Sequence, residues 1–542
     1  MNPIRACSAD QLEEWIASTP SGGVCRIPQG EYYLTRRVEI RNRKDLTFDG
    51  NGSRIVTKYR NNADYSDSSD GFLIEDSDGV TLENFVVETD VAPNIRGVVE
   101  QVDLDGETLV VKVDDEFPMN GDEVLMSTES LDAVHDDPTH DVHYFARHPD
   151  PSIITVMQGE IYLAITYGSA DYEYLGSNRF RMYFPKGKGK MKGAKVGMTI
   201  NIRHTMYGPG VFVLRNSNRT VLRDITVHAT AGMGVIVLPR CEDLTLERVR
   251  FVPKEGSCIP LACNCDGIHA TGLGGKLTLS DCVFDGMGDD PLNVHATAGT
   301  VTGILDDHNV KCNYCKKRPD GILPAKWCAE GDLIRFYDPT TMQKTAEARA
   351  IRFADGILEY ALLEGEISLG NVMQNMFFAP SVLIDRCVGR RSLARFFVVQ
   401  TENVTIQNCT MFGTRLNAIK AAPDFAFWYE VGPVCNLTIQ NNRFERCGGY
   451  HGEGAIELQT NHSDHLLDVE GLHRNIRIEG NEFIDCRGDH VIFLCSCDNV
   501  ILKDNRIVGS ACDEENAITQ IHCTNVISQH NVFTKESSYE TK

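Results

Sequence analysis

Residues 403–411 read NVTIQNCTM and residues 436–444 read NLTIQNNRF. Both run from a polar corner through an apolar-polar-apolar stretch and a polar pair to Asn or Cys and a closing apolar residue. The same unit recurs as GVTLENFVV (79–87), DLTLERVRF (243–251), KLTLSDCVF (276–284), NIRIEGNEF (475–483), NVILKDNRI (499–507) and NVISQHNVF (525–533). Alternation of period two marks each unit as a strand. The steps are short: 22 from Val382 to Val404, 23 from Val221 to Leu244, 24 from Ile476 to Val500 and 26 from Val500 to Val526. A short strand cannot bury its apolar face alone, so units returning at this interval stack on one another. The predicted fold is all-β: a right-handed parallel β-helix. Longer steps, 33 from Leu244 to Leu277 and 39 from Leu437 to Ile476, read as coils carrying loop insertions. Asn403, Asn436, Asn475 and Asn499 are expected at structural corners. Helical periodicity is confined to Ser8–Ser18, with Ser8 as N-cap, and this helix is expected to cover the open N-terminal end.

Two stretches leave the repeat. Residues 95–206 contain strands such as GVVEQVDLDGETLVVKVD from Gly97, and residues 300–378 contain DLIRFYD from Asp332 and GILEYALLE from Gly356. Alternating strands joined by Asp/Gly turns suggest two small antiparallel β-barrels inserted at loops. The expected organisation is a cap helix and first coils at 1–94, a barrel at 95–206, central coils at 207–299, a second barrel at 300–378 and C-terminal coils at 379–542. The second barrel starts just after His295 and should help wall a pocket there.

The formal net charge of −23 argues against nucleic acid or an anionic membrane as partner, since both reward basic patches. No window approaches an uninterrupted apolar span long enough for a membrane helix. The N-terminus, MNPIRACSADQLEEWIASTPSGG, lacks a basic region followed by an apolar one. The expectation is a cytoplasmic protein, or an exported one whose signal peptide has been removed. The 19 cysteines are odd in number and many take apolar positions, as Cys282, Cys387, Cys409 and Cys486 do, which favours reduced thiols.

The densest chemistry lies at Asp266-Gly-Ile-His269 and Gly286-Met-Gly-Asp-Asp-Pro-Leu-Asn-Val-His295. Asp266 and Asp289 are one repeat apart, so adjacent coils would stack them about 4.8 Å apart, with Asp290 and both histidines beside them. Three such carboxylates repel unless protons, a cation or a developing positive charge offset them. Counting back nine residues from each Asn corner aligns Val235, Ile268, Arg395, Val491 and Ala517, and in that register Asp266 and Asp289 share a column. Asn293, Lys420, Glu453 and Glu457 should face out nearby. Acids, amides and cations on one concave face suit a neutral sugar.

Three uses of the acids compete. In glycoside hydrolysis one carboxyl protonates the leaving oxygen while another activates water or attacks carbon, and clustering keeps one member protonated near neutral pH. Alternatively, oxygen ligands could hold calcium for β-elimination of a uronate. Aspartates at turns can also be inert, bonding their own backbone; two histidines and an Asp-Asp pair one coil away tip the balance to a site. A non-catalytic glycan-binding solenoid is a further alternative. His269 and His295 fit hydrogen bonding to hydroxyls or acids better than metal ligation. Cys312, Cys315 and Cys328 offer three zinc-type ligands without a clear fourth. Asp424, Phe427 and Trp428 lie in an insertion after Lys420, where an aromatic ring either stacks on a sugar or packs the loop.

These motifs, with a β-helix interrupted by two barrels, resemble the bacterial α-1,3-galactosidases of glycoside hydrolase family 110. The resemblance implies removal of terminal α-1,3-linked galactose with inversion, including from the blood group B determinant. It implies Asp289 as general acid, with Asp266 and Asp290 sharing the general-base role, and no metal or other cofactor. Substrate-binding candidates are His269, Asn293, His295, Arg395, Lys420, Glu457 and Trp428. The implied partner is a galactose-terminated oligosaccharide or glycoconjugate, and a homodimer through one flank of the solenoid is compatible with it. Family members are often exported, so the absent signal is a departure. Polygalacturonases, another inverting β-helix group, are the runner-up; their Asn-Thr-Asp, Gly-His-Gly and Arg-Ile-Lys patterns are missing, and Asn264 and Cys265 precede Asp266.

Overall fold

Leu244, Leu277, Val382, Val404, Leu437, Ile476, Val500 and Val526 form one column, each paired in parallel register with the next. The computed structural model that shows this describes residues 9–58, 69–117, 208–314, 323, 325–425, 428–449, 452–460 and 469–536, with 141–143, 162–164, 172–183, 196–197 and 199–203 between them. The chain winds as a right-handed parallel β-helix. The repeated unit supplies two of its three ladders, as in Glu402–Gln407 and Thr410–Thr414, which belong to one 21-stranded sheet. The third ladder runs through Val235–Val237, Ile268–Ala270, Leu292–Thr297, Phe397–Gln400, Ile419–Ala421, Ile456–Leu458, Ile492–Cys495 and Ile518–Ile521.

The corners follow from backbone chemistry. Asn403, Asn436, Asn475 and Asn499 take φ of 59°, 60°, 56° and 54°, the left-handed region that Asn tolerates better than most residues. Their side chains form an outer ladder, Nδ2 of one donating to Oδ1 of the previous at 2.7–2.8 Å. At the next corner an inner stack begins with Cys282, Cys387 and Cys409 and continues as Asn442, Asn481, Asn505 and Asn531. Asn481 shows the device: its N–H donates to Asn505 Oδ1 at 3.1 Å and its Nδ2 to the Ile439 carbonyl at 2.9 Å. Backbone groups that a turn leaves orphaned are thereby satisfied inside the core. The helix Ala9–Ser18 buries Leu12 and Ile16 against the first coil; Ser8 lies outside the described residues.

The register corrects the sequence alignment. The third-ladder column is Val235, Ile268, Leu292, Phe397, Ile419, Ile456, Ile492 and Ile518. Arg395 stands two residues ahead of it, and Val491 and Ala517 one, because the turn from the third ladder into the first-ladder strand that follows varies in length from coil to coil. On the first ladder Thr220, not Val221, partners Leu244.

Six strands between Gly299 and Asn375 close into an antiparallel barrel. Its core of Val301, Val310, Trp327, Ile334 and Phe336 also takes in Phe425, Tyr429 and Val431 from the insertion after Lys420. Between Asn94 and Arg203 the described strands form a five-stranded antiparallel sheet and a separate antiparallel pair, Asp141–His143 with Tyr162–Ala164; among the described residues this sheet does not close into a barrel. The described cysteines are free thiols. No described helix is long and apolar enough to cross a membrane.

Candidate active site

The corner before the third ladder gathers the acids. Since Ile268 pairs with Leu292 and Leu292 with Phe397, the residues two positions earlier, Asp266, Asp290 and Arg395, stack on successive coils. The step from Asp266 is thus 24 residues, and Asp290, not Asp289, shares its column. The backbone fixes the stack: Asp290 N–H donates to Asp266 Oδ1 at 3.2 Å, and Arg395 N–H donates to Asp290 Oδ1 at 2.9 Å. The Arg395 guanidinium stands 3.8 Å from the same oxygen. Asp266 and Asp290 are each 4% exposed, while Asp289 is half-buried. One oxygen of Asp289, one of Asp266 and the Cys265 Sγ lie within 4.8 Å of one another. The Ser392 hydroxyl donates toward the Asp289 carbonyl at 3.0 Å, anchoring the backbone that carries this acid.

His269 and Asn293 face outward side by side on adjacent strands, as do His295 and Gln400 one position pair further on. His269 Nδ1 is 2.6 Å from Asp266 Oδ2, and its ring meets His295 edge-on with centroids 5.4 Å apart. His295 Nδ1 donates to the Ala296 carbonyl at 3.1 Å, which leaves Nε2 as an acceptor. Lys420 and Glu457 pair in register further along the same face, with Lys420 Nζ 3.5 Å from Glu453 Oε1. Glu457 accepts from His490 Nε2 at 2.8 Å, the Gly454 N–H at 3.0 Å and Gln459 Nε2 at 3.1 Å.

A fourth acid was not anticipated. Glu430 belongs to a short strand, Glu430–Val431, that pairs antiparallel with Ala296 and Thr297. It accepts from Asn293 Nδ2 at 3.3 Å and Gln400 Nε2 at 3.2 Å, and its Oε1 stands 3.6 Å from His295 Nε2. Trp428, two residues earlier, stands 46% exposed; Phe427 lies outside the described residues. Cys312 and Cys328 are buried in the barrel core, where burial pushes each thiol up to about 12, and Cys315 lies outside the described residues.

Electrostatics follow from burial. Burial, then the charges of Asp290 and Glu430, hold the Asp266 carboxyl well above the usual carboxylate range. Burial also raises Asp290, but the Arg395 guanidinium and N–H oppose it. Burial lowers both His269 and His295, keeping them neutral. The proton at the 2.6 Å contact therefore rests on Asp266. For Glu457, burial alone would raise the carboxyl, yet His490, Lys420 and the Gly454 N–H together hold it below its ordinary value. Lys420 is lowered by burial and then by Arg395.

Six polar atoms of this face, Asn293 Oδ1, His295 Nε2, Arg395 Nε, Gln400 Oε1, Asn417 Oδ1 and Glu453 Oε2, are buried without a hydrogen-bond partner among the described residues. Each such atom costs about 1–3 kcal/mol. A fold that tolerates six together is organised around something other than its own stability. With four carboxylates and neutral imidazoles beside them, the arrangement can exchange protons with a polyhydroxylated ligand and hold its hydroxyls.

No protein-family model matches the chain. Among curated proteins it is 31% identical over 325 residues to alpha-1,3-galactosidase A of Bacteroides fragilis, a match covering 58% of this chain and 53% of that protein. It is 24% identical over 479 residues to alpha-1,3-galactosidase B of Bacteroides thetaiotaomicron, covering 84% and 73%. The chain thus spans about half the length of the first relative and more of the second. Among solved structures, the catalytic unit of a thermostable alpha-1,3-glucanase from Streptomyces thermodiastaticus aligns with 100% of this chain and 71% of its own, at 11% identity and a TM-score of 0.42. By sequence, the chain resembles the curated alpha-1,3-galactosidases A and B over large parts of its length.

Proposed function

We propose that this chain is an exo-acting, inverting glycoside hydrolase that removes terminal α-1,3-linked galactose from glycans, blood group B-type determinants and linear α-1,3-galactosides among them. The observation that carries the reading is the register-locked stack of Asp266, Asp290 and Arg395 with Asp289 beside it. The names of the similar galactosidases support the same assignment.

In this reading Asp289, the most accessible of the three acids, delivers a proton to the leaving oxygen. An inverting pair needs about 6.5–9.5 Å between carboxyls to admit water. One oxygen of Asp266 lies within 4.8 Å of one of Asp289, short of that separation, and we assign the base to Asp290, beside which the Arg395 guanidinium stands. Arg395 favours the ionised form of Asp290. Asp266, protonated and held by His269, removes the repulsion that a third negative charge would exert on that base. Asn293, His295, Gln400 and Glu430 present acceptors and donors to the galactose hydroxyls, and Arg395 and Lys420 to the oxygens further out. The reading needs neither metal nor cofactor.

A panel of linear and fucosylated α-galactosides, followed by proton NMR, tests it. The first free galactose should be the β-anomer. Release of the α-anomer removes inversion, and failure to release galactose from any member removes the assignment.

A further inference from the structure

The column that holds the acids does not end with them. Following the register two residues ahead of each third-ladder strand gives Asp290, Arg395, Asn417, Gly454, His490 and Asn516. His490 is four windings from Asp290, about 19 Å at the usual strand spacing. Here His490 and Asn516 line a cavity of about 520 Å³, together with Arg487, Asp489, Asp513 and Thr519. That volume falls within the range of small-ligand pockets, roughly 300–1,000 Å³.

The stretch between is a continuous polar track. Arg395 lies beside Asp290, Lys420 pairs in register with Glu457, and Glu457 holds His490 Nε2 at 2.8 Å. Gly454 keeps the corner open, since a Cβ there would stand 2.6 Å from His490 Cδ2. The cavity wall carries cationic Arg487, the carboxylates of Asp489 and Asp513, the latter paired with Lys535 Nζ at 3.1 Å, and an imidazole, an amide and a hydroxyl. Donors and acceptors of mixed sign on a track leading from the acids fit neutral hydroxyls better than a phosphate or a carboxylate.

We propose that this cavity is a distal glycan-binding site, which grips a neutral sugar of the leaving chain several units from the bond that is cut. The proposal rests on the hydrolase reading for its orientation. It adds that the preferred substrates are extended oligosaccharides, not short galactosides.

The test compares kcat/KM for an α-1,3-galactosyl disaccharide and for a galactose-capped pentasaccharide, in the native protein and in Asn516→Ala and Asp513→Ala. Both side chains are exposed, so the fold should survive, and thermal melts check this. The native protein should favour the pentasaccharide, and each variant should lose roughly tenfold on it, the equivalent of about 1.4 kcal/mol, with no change on the disaccharide. Equal losses on both substrates, or none on either, overturn the proposal. A parallel NMR titration uses the tetrasaccharide that lacks the terminal galactose. If the native protein cleaves neither substrate, the hydrolase reading fails and the titration decides alone: weaker binding by the variants sustains the site, and unchanged binding removes it.

Discussion

Asp290 is held directly above Asp266 by the strand register, and its own N–H donates to Asp266 Oδ1 at 3.2 Å. The next coil repeats the arrangement, with Arg395 N–H on Asp290 Oδ1 at 2.9 Å. Each acid is therefore positioned by the backbone of the coil that follows it and needs no flexible side chain to place it. Two buried carboxyls in line cannot both ionise cheaply. Arg395 contacts the second and acts on the first only as the weakest of its influences, which separates their protonation states and leaves Asp289, one residue out of the column, with different surroundings.

Asp289→Asn isolates the acid role proposed for this residue. The side chain is half-buried, and the contact that fixes its backbone, from the Ser392 hydroxyl, goes to a carbonyl that the substitution leaves in place. Turnover of a terminal α-1,3-galactoside should fall by about 10²–10⁴ or more, the range for a lost general acid. Its Tm should stay close to that of the native protein. Native-like turnover takes Asp289 out of the mechanism.

The fold was legible because every coil repeats the same alternation and the same corner residues, as Asn403 and Asn436 show. The register was not, because it depends on the length of each turn: a 23-residue step pointed to Asp289, whereas the hydrogen-bonded step to Asp290 is 24. Within the site, His269, Asn293, His295 and Lys420 could be found because they lie on outward positions of the ladder. Gln400 occupies the same kind of position beside His295 and carried the same signal. Glu430 carried none. Its place is set by Phe425, Tyr429 and Val431 packing into the barrel core, a long-range contact with no periodicity to announce it.

The raised Asp266 carboxyl makes a prediction about stability. A group that binds its proton more tightly when folded contributes stability in full below its unfolded value, about 4 for Asp, and loses that contribution as pH rises through the folded value. Asp266→Asn is neutral at every pH and can still accept from Asp290 N–H. Its Tm relative to the native protein should therefore increase between pH 4 and pH 7, a gain that vanishes toward pH 3. His269 and His295, whose folded values are lowered, act in the opposite sense: stability is lost as pH falls through about 6.5. Both remain in the variant, so the difference isolates the acid. A Tm difference that does not change with pH contradicts the protonated assignment of Asp266.

Glu430→Gln tests the wall opposite the acids. The Glu430 charge adds to burial in raising Asp266 and Asp290. Removing it should shift the acid limb of the kcat/KM profile, which reports the base, to lower pH. The loss of a charged acceptor for a sugar hydroxyl should also lower kcat/KM by roughly ten- to a hundredfold, or about 1.5–3 kcal/mol. An acid limb that stays in place separates Glu430 from the catalytic carboxylates electrostatically, whatever happens to affinity.

Asn94→Ala should destabilise the protein from outside the site. Asn94 is fully buried where the chain leaves the solenoid for its first insertion, and both ends of its amide are used. Nδ2 donates to Asn264 Oδ1 at 2.8 Å and the Leu261 carbonyl at 3.1 Å, while Oδ1 accepts the Leu261 N–H at 3.0 Å. Asn264 returns a hydrogen bond to the Pro93 carbonyl at 3.0 Å. These contacts clamp the segment that runs into Cys265 and Asp266. Truncation leaves several buried groups unpaired, so urea unfolding should show a loss of about 2–4 kcal/mol. Because the segment leads directly to Asp266, kcat should fall as well while KM changes less. A variant with native stability and native kcat shows that the loop before Asp266 is held by other means.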